Sequence, residues 1–122
     1  MSEGKVVVNL SSGLGDDAEK VTIAFLVANA AAESGRRTAM FLTKDAVRLA
    51  LPGEATGEAC TGCPPLERLF QQYADNGGEL LVCPICFNSR GLEGAEIVAH
   101  ARIAGATPLW DWIGDGATVF SY

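Results

Sequence analysis

The chain has 122 residues, nearly half of them apolar, which is typical of one domain with its own hydrophobic core. Its formal net charge of −6 argues against nucleic acid or an anionic membrane surface as a partner, because both need clustered Lys and Arg. The start of the chain lacks the pattern of a signal peptide, and the longest apolar run, residues 21–32, is too short to span a bilayer. We therefore expect a single cytoplasmic domain over residues 1–122.

The first half of the chain alternates between strand and helix patterns. Its predicted elements are a Val-rich strand at 5–10, a helix from about 16 to 34, a strand at 37–43 and a short helix at 44–51. Asp16 and Asp17 favour the start of the long helix, because carboxylates interact well with the positive end of the helix dipole. That helix is apolar on nearly every face from Val21 to Ala32, which predicts that protein covers it on several sides.

The second half continues the alternation after a long loop at residues 52–65. Its predicted elements are a helix at 66–75, a strand at 79–82, a turn or short helix reaching 91, a helix at about 92–100, a strand at 102–105, a short helix at 108–113 and a strand at 117–122. The strands are continuously apolar. This pattern indicates an α/β fold with a mostly parallel sheet covered on both faces.

The segment Cys83-Pro84-Ile85-Cys86 carries the strongest chemical signal in the chain. Cys83 directly follows a buried strand, and ligands bind at the carboxyl ends of strands in open parallel sheets. Pro84 suits the first turn of a helix, so Cys83 is predicted at a helix N-terminus, where free N–H groups and the dipole favour the nucleophilic thiolate. Cys86 is predicted on the same helical face, where it would resolve a disulfide or accept sulfur. Arg90, if it folds back, adds positive charge. The alternative is a buried structural pair of cysteines.

The same segment resembles the DsrE/DsrF-like family. In that family a cysteine after a buried strand is followed seven and eight residues later by Arg-Gly, as Cys83 is by Arg90 and Gly91. Other parts of the chain agree with the family pattern: the opening strand with its Gly/Asp loop, the long apolar helix, Phe41-Leu42 before Asp45-Ala46-Val47, and residues 117–122.

The resemblance implies a three-layer α/β/α sandwich around a mostly parallel five-stranded sheet. It also implies assembly into homotrimers or homohexamers, and a sulfur carrier or sulfurtransferase that holds a persulfide on Cys83 and exchanges it with donor and acceptor proteins. Cys86 departs from the pattern, because single-cysteine carriers do not require it. This departure favours dithiol redox chemistry between Cys83 and Cys86 as a further activity.

Two more cysteines, Cys60 and Cys63, lie in the long loop. With Cys83 and Cys86 they give the spacing C-x₂-C-x₁₉-C-x₂-C, which is typical of structural zinc sites, so a zinc-bound structural or regulatory module is the alternative function. Two features argue against zinc: a helix and a buried strand separate the two cysteine pairs, and the hydrophobic core is large enough for the chain to fold without a metal or other cofactor. Long loops in small domains are often functional, so we expect this one beside Cys83, with Cys60 or Cys63 able to exchange disulfides there.

The remaining candidate residues have structural interpretations. Gly13-Leu14-Gly15-Asp16 lacks the Gly-Lys-Ser/Thr ending of a phosphate loop, so a plain turn is predicted. His100, the only histidine, is expected to be a packing or surface residue rather than a general base. Trp110 and Trp112 are expected in the core or at a subunit contact. A thioredoxin fold is set aside, because this CxxC follows two helical crossovers rather than the early strands.

Overall fold

The computed structural model describes residues 4–56 and 61–122, and its centre is a five-stranded sheet. The strands are β1 (Lys5–Leu10), β2 (Arg37–Leu42), β3 (Glu79–Val82), β4 (Ala101–Ile103) and β5 (Thr118–Ser121). The helices are α1 (Ala18–Glu33), a 3₁₀ helix (Lys44–Ala50), α2 (Leu66–Asp75), α3 (Pro84–Asn88) and α4 (Ala106–Ile113). In the described ranges, no helix is long and apolar enough to cross a membrane.

All four strand pairings are parallel, in the order β4-β3-β2-β1-β5. The connections from β1 to β4 step in one direction across the sheet, and right-handed crossovers place them on one face. The connection from β4 to β5 runs the opposite way, so α4 lies on the other face. This arrangement confirms the predicted three-layer α/β/α sandwich with a mostly parallel sheet.

The two faces of the sheet differ in how well they are covered. On the face with α1 and α2, a large core packs Phe25 and Ala28 of α1 against Met40, Leu42 and Leu80 of the strands. On the opposite face a smaller cluster forms beneath α4; its buried members are Val7, Ala39, Leu81, Ala104 and Trp112. Because α4 has only eight residues, this second layer is thin.

The bounds predicted for α1 are confirmed at both ends. Asp17 caps the helix, and its side chain accepts a hydrogen bond from the backbone N–H of Lys20 at 3.0 Å. At the other end Gly35 has φ +87°, and the N–H of Arg36 donates to the carbonyl of Ala31 at 3.1 Å. Glycine takes this left-handed conformation without steric cost, which ends the helix.

The helix predicted at residues 92–100 is wrong. Gly94 has φ +82°, and the N–H of Val98 donates to the carbonyl of Ala50 at 2.9 Å instead of to its own segment. The apolar side chains that suggested a helix still pack against the larger core, namely those of Leu92, Ile97 and Val98. The segment therefore buries its apolar residues as a series of turns, whose hydrogen bonds are partly supplied by the 3₁₀ helix.

The two tryptophans have different environments. Trp112 is buried, and its indole N–H donates to the Glu79 carboxylate at 3.0 Å. The cations of Lys5 and Arg37 lie 5.6 and 5.0 Å from the Trp112 ring centroid. Trp110 is 69% exposed in the single chain. The expectation of a core residue therefore holds for Trp112 only.

His100 is a packing residue, as predicted. Its ring centroid lies 5.1 Å from that of Phe70 and 6.4 Å from that of Tyr73, and its Nε2 atom is buried without a hydrogen-bond partner in the described parts of the chain. It precedes β4 and so lies at the amino edge of the sheet, opposite Cys83. Burial lowers the pKa of His100 below its ordinary value.

This pKa shift predicts that acid weakens the fold before the carboxylates titrate. A histidine whose pKa is lowered by folding binds its proton more readily in the unfolded chain, so stability falls as pH drops below about 6.5. Urea unfolding at pH 7.5 and 5.5 should show lower stability at pH 5.5. In His100→Phe the difference should shrink, because Phe does not titrate; an unchanged pH dependence would contradict the assignment.

Candidate functional site at the carboxyl edge of the sheet

Cys83 occupies the position predicted for it. It directly follows β3, and its N–H donates to the carbonyl of Leu42 at 3.1 Å, which extends the ladder between β2 and β3. It is also the N-cap of α3, with Pro84 at the first helical position, and its carbonyl accepts from the N–H of Phe87 at 3.0 Å. The backbone of Cys83 is thus held by a strand on one side and a helix on the other.

Cys83 and Cys86 are both free thiols and both partly exposed. Cys86 lies three residues along the chain and packs against the larger core. Partial exposure leaves a path for a reactant, while the fixed backbone limits the positions of the sulfur atoms. A free, accessible thiol on a rigid element is what nucleophilic sulfur chemistry requires.

Arg90 folds back onto α3, which was the condition for it to place a positive charge near the cysteines. Its Nη1 donates to the carbonyl of Cys86 at 3.2 Å, and its Nε donates to Asp45 Oδ1 at 3.1 Å. The positive charge is therefore present beside the cysteine segment, but it is paired with a carboxylate. The Asp45 carboxylate therefore offsets part of the positive charge that Arg90 brings to the cysteine segment.

Asp45 is only partly exposed, and it is paired with two arginines. It accepts hydrogen bonds from Arg48 at 2.9 Å and from Arg90, and its side chain is 30% exposed. The hydrogen bond from Arg48, followed by that from Arg90, lowers the pKa of Asp45 against the opposing effect of burial. Sequence reasoning does not single out Asp45 as a site residue; the motif Asp45-Ala46-Val47, which fits the family pattern, is the signal that points to it.

The loop after β1 packs directly against Asp45. A Cβ on Gly13 would lie 2.8 Å from both the backbone oxygen and Oδ2 of Asp45, so only glycine fits there. The N–H groups of Asp16 and Asp17 donate to the Gly13 carbonyl, and the Gly13 N–H donates to Asp16 Oδ2 at 2.9 Å. These bonds confirm the predicted plain turn. Both aspartates satisfy backbone donors that a phosphate loop would leave free.

The predicted four-cysteine zinc site finds no support. Cys63 is disulfide-bonded, and the structure over residues 4–56 and 61–122 contains no group of three or more His, Cys, Asp or Glu side chains arranged to hold a metal ion. Cys63, Cys83 and Cys86 therefore do not form a shared ligand set. Cys60 lies outside the described residues, so disulfide exchange between the loop and Cys83 stays a prediction.

Comparisons with known proteins agree with this architecture. The model of the DsrE/DsrF-like family matches residues 5–122. The crystal structure of the YchN protein from E. coli superposes with a TM-score of 0.81 at 20% sequence identity, covering 98% of this chain and 100% of that one. At this identity the likeness shows a shared fold. The search of curated proteins found no match. Since the family match spans almost the whole chain, the protein belongs to the DsrE/DsrF-like family.

Proposed function

We propose that this protein carries sulfur as a persulfide on Cys83. The observation that supports the proposal most is the position of a free, partly exposed thiol between the end of β3 and the start of α3. Ligands of open parallel sheets bind at this edge. Membership of a family with sulfur-relay proteins points to the same chemistry.

The transfer of sulfur to Cys83 needs no cofactor, because one S–S bond forms as another breaks. The Cys83 thiolate attacks the terminal sulfur of a donor persulfide, so that a new S–S bond forms on Cys83 while the donor S–S bond breaks. The donor leaves as a thiolate. An acceptor thiolate then attacks the terminal sulfur on Cys83 in the same way, and Cys83 returns to its starting state.

Cys86 supports a second, redox role at the same site. If the Cys86 thiolate attacks the inner sulfur of the Cys83 persulfide, a Cys83–Cys86 disulfide forms and hydrosulfide leaves. The persulfide sulfur is reduced and the two cysteines are oxidised. An external dithiol reductant must then return two electrons to the disulfide. Both thiols are free and three residues apart, which favours this reaction.

The proposal is tested by locating the sulfur. Reduced protein exposed to polysulfide, then alkylated and digested, should show an added mass of about 32 Da on the peptide with Cys83. The alkylating reagent should also label Cys83 faster than Cys86, which packs against the core. A modification confined to Cys63 or Cys86, with Cys83 unreactive, would contradict the assignment.

We further propose that copies of the chain associate, as homotrimers or homohexamers. The outer face of α1 exposes Ile23 and Leu26 at 41% and 42%, and β5 exposes Val119 and Phe120 at 54% and 43%. An apolar groove joins these elements and is lined by Val27 and Phe120 among others. Apolar surface of this kind on a helix and an edge strand is typical of an interface.

Sedimentation equilibrium tests the association directly. Wild-type protein should sediment at three or six times the chain mass of 12.8 kDa. Leu26→Glu or Phe120→Glu places a charge in the apolar face and should shift the mass towards one chain. Gln72→Glu adds the same charge to the exposed face of α2 and should leave the assembly intact. A wild-type mass near 12.8 kDa would contradict the proposal.

A further inference from the structure

An open cleft of about 570 Å³ adjoins the cysteine segment at the carboxyl edge of the sheet. Its walls come from the loop after β1, the first turns of α1, the start of the 3₁₀ helix and the segment after α3. The lining cations are Lys20, Lys44 and Arg90, and Ser11 and Ser12 add hydroxyl groups. Clefts that bind small organic molecules are commonly about 300–1,000 Å³, so the size suits such a ligand.

The charges of the cleft leave two cations without acidic partners. Asp16 and Asp45 also line it, but Asp16 accepts a hydrogen bond from Gly13, and Asp45 is shared between Arg48 and Arg90. In the part of the chain that the structure describes, neither Lys20 nor Lys44 has a carboxylate within ion-pair distance. In a chain of net charge −6, this concentration of cations favours an anionic ligand.

Lys44 is held in a strained backbone conformation. It has φ +51° and is the only non-glycine residue with positive φ among the residues described. A lysine gains nothing locally from this conformation, which glycine adopts freely. Strain of this kind concentrates at functional sites, where the side chain is needed.

Building on the function proposed above, we propose that this cleft binds the carboxylate of a small organic persulfide whose sulfur reaches Cys83. Arg90 connects the cleft to the cysteine segment, because it lines the cleft and donates to the carbonyl of Cys86 at 3.2 Å. Neither cysteine lines the cleft. A donor must therefore hold its anionic group several bonds away from its transferable sulfur, which favours a carboxylated organic persulfide over a compact inorganic anion such as thiosulfate.

Binding is tested without sulfur transfer, using S-methylglutathione, an unreactive carboxylated thioether, on Cys83→Ser protein. We expect saturable binding by calorimetry that weakens with added salt. Adding Lys44→Gly to the Cys83→Ser protein should weaken binding at least tenfold while preserving the fold, since the backbone there suits glycine. Adding Lys20→Met should also weaken it, whereas adding Arg68→Met, on the exposed face of α2, should not.

The outcomes separate this inference from the proposed function. If S-methylglutathione does not bind, or if one or both lysine substitutions leave its binding unchanged, the cleft assignment is overturned, even if polysulfide still modifies Cys83. Binding that depends on both lysines supports the cleft even if no sulfur is transferred. Wild-type protein should take up sulfur faster from glutathione persulfide than from thiosulfate. The reverse preference would overturn the inferred donor class.

Discussion

Replacing Cys83 with serine should abolish sulfur uptake from a persulfide donor, lowering the rate by at least about 100-fold. A serine hydroxyl at this position is a far weaker nucleophile than a thiolate and cannot hold sulfur as a persulfide. Because Cys83 is partly exposed and its fixed contacts are made by backbone atoms, the fold should survive the change. Uptake is measured by mass spectrometry of the intact protein over time, with circular dichroism as the check on folding.

Cys86→Ser is the matched control, because it removes the second thiol of the same segment. It should still take up sulfur on Cys83, but it should no longer release hydrosulfide through a Cys83–Cys86 disulfide. Hydrosulfide release and thiol titration distinguish the two variants. If Cys86→Ser loses uptake while Cys83→Ser keeps it, the two cysteines have the opposite roles.

The largest expected loss of stability comes from Gly78→Ala. A Cβ on Gly78 would lie 2.3 Å from two ring carbons of Tyr73, which is fully buried. The ring is fixed in place because its hydroxyl donates to the carbonyl of Glu79 at 2.7 Å, and burial raises the pKa of Tyr73, so the hydroxyl keeps its proton. We expect a loss of about 2–4 kcal/mol, from overpacking together with a broken buried hydrogen bond.

Urea unfolding of Gly78→Ala and of Gly15→Ala tests this prediction. Gly15 has open space around its Cβ position and a negative or extended φ, so its substitution should change stability by less than about 0.5 kcal/mol. If Gly78→Ala matches Gly15→Ala, then Tyr73 has room to move, and the packing argument for this part of the core is wrong.

The sequence predicted an element correctly wherever one segment contained both the apolar pattern of that element and the residues that end it. The helix α1 has acidic residues before it and Gly35 after it, and α2 and β3 lie between clear turns, so their bounds were predictable. At residues 92–100 the apolar spacing suggested a helix. The backbone there bonds to Ala50 from a distant part of the chain, and a pattern within one segment carries no information on such a partner.

The position of Cys83, after a buried strand and before Pro84, followed from the sequence by itself, because strand and helix start are both local properties. Only the tertiary structure decided that Arg90 is paired with Asp45, that Trp112 is buried while Trp110 is exposed, and that Lys20, Lys44 and Arg90 share one cleft. These residues lie on different segments. The strand order and the crossover direction decide which of these side chains come into contact, because they decide which segments lie at the same edge of the sheet.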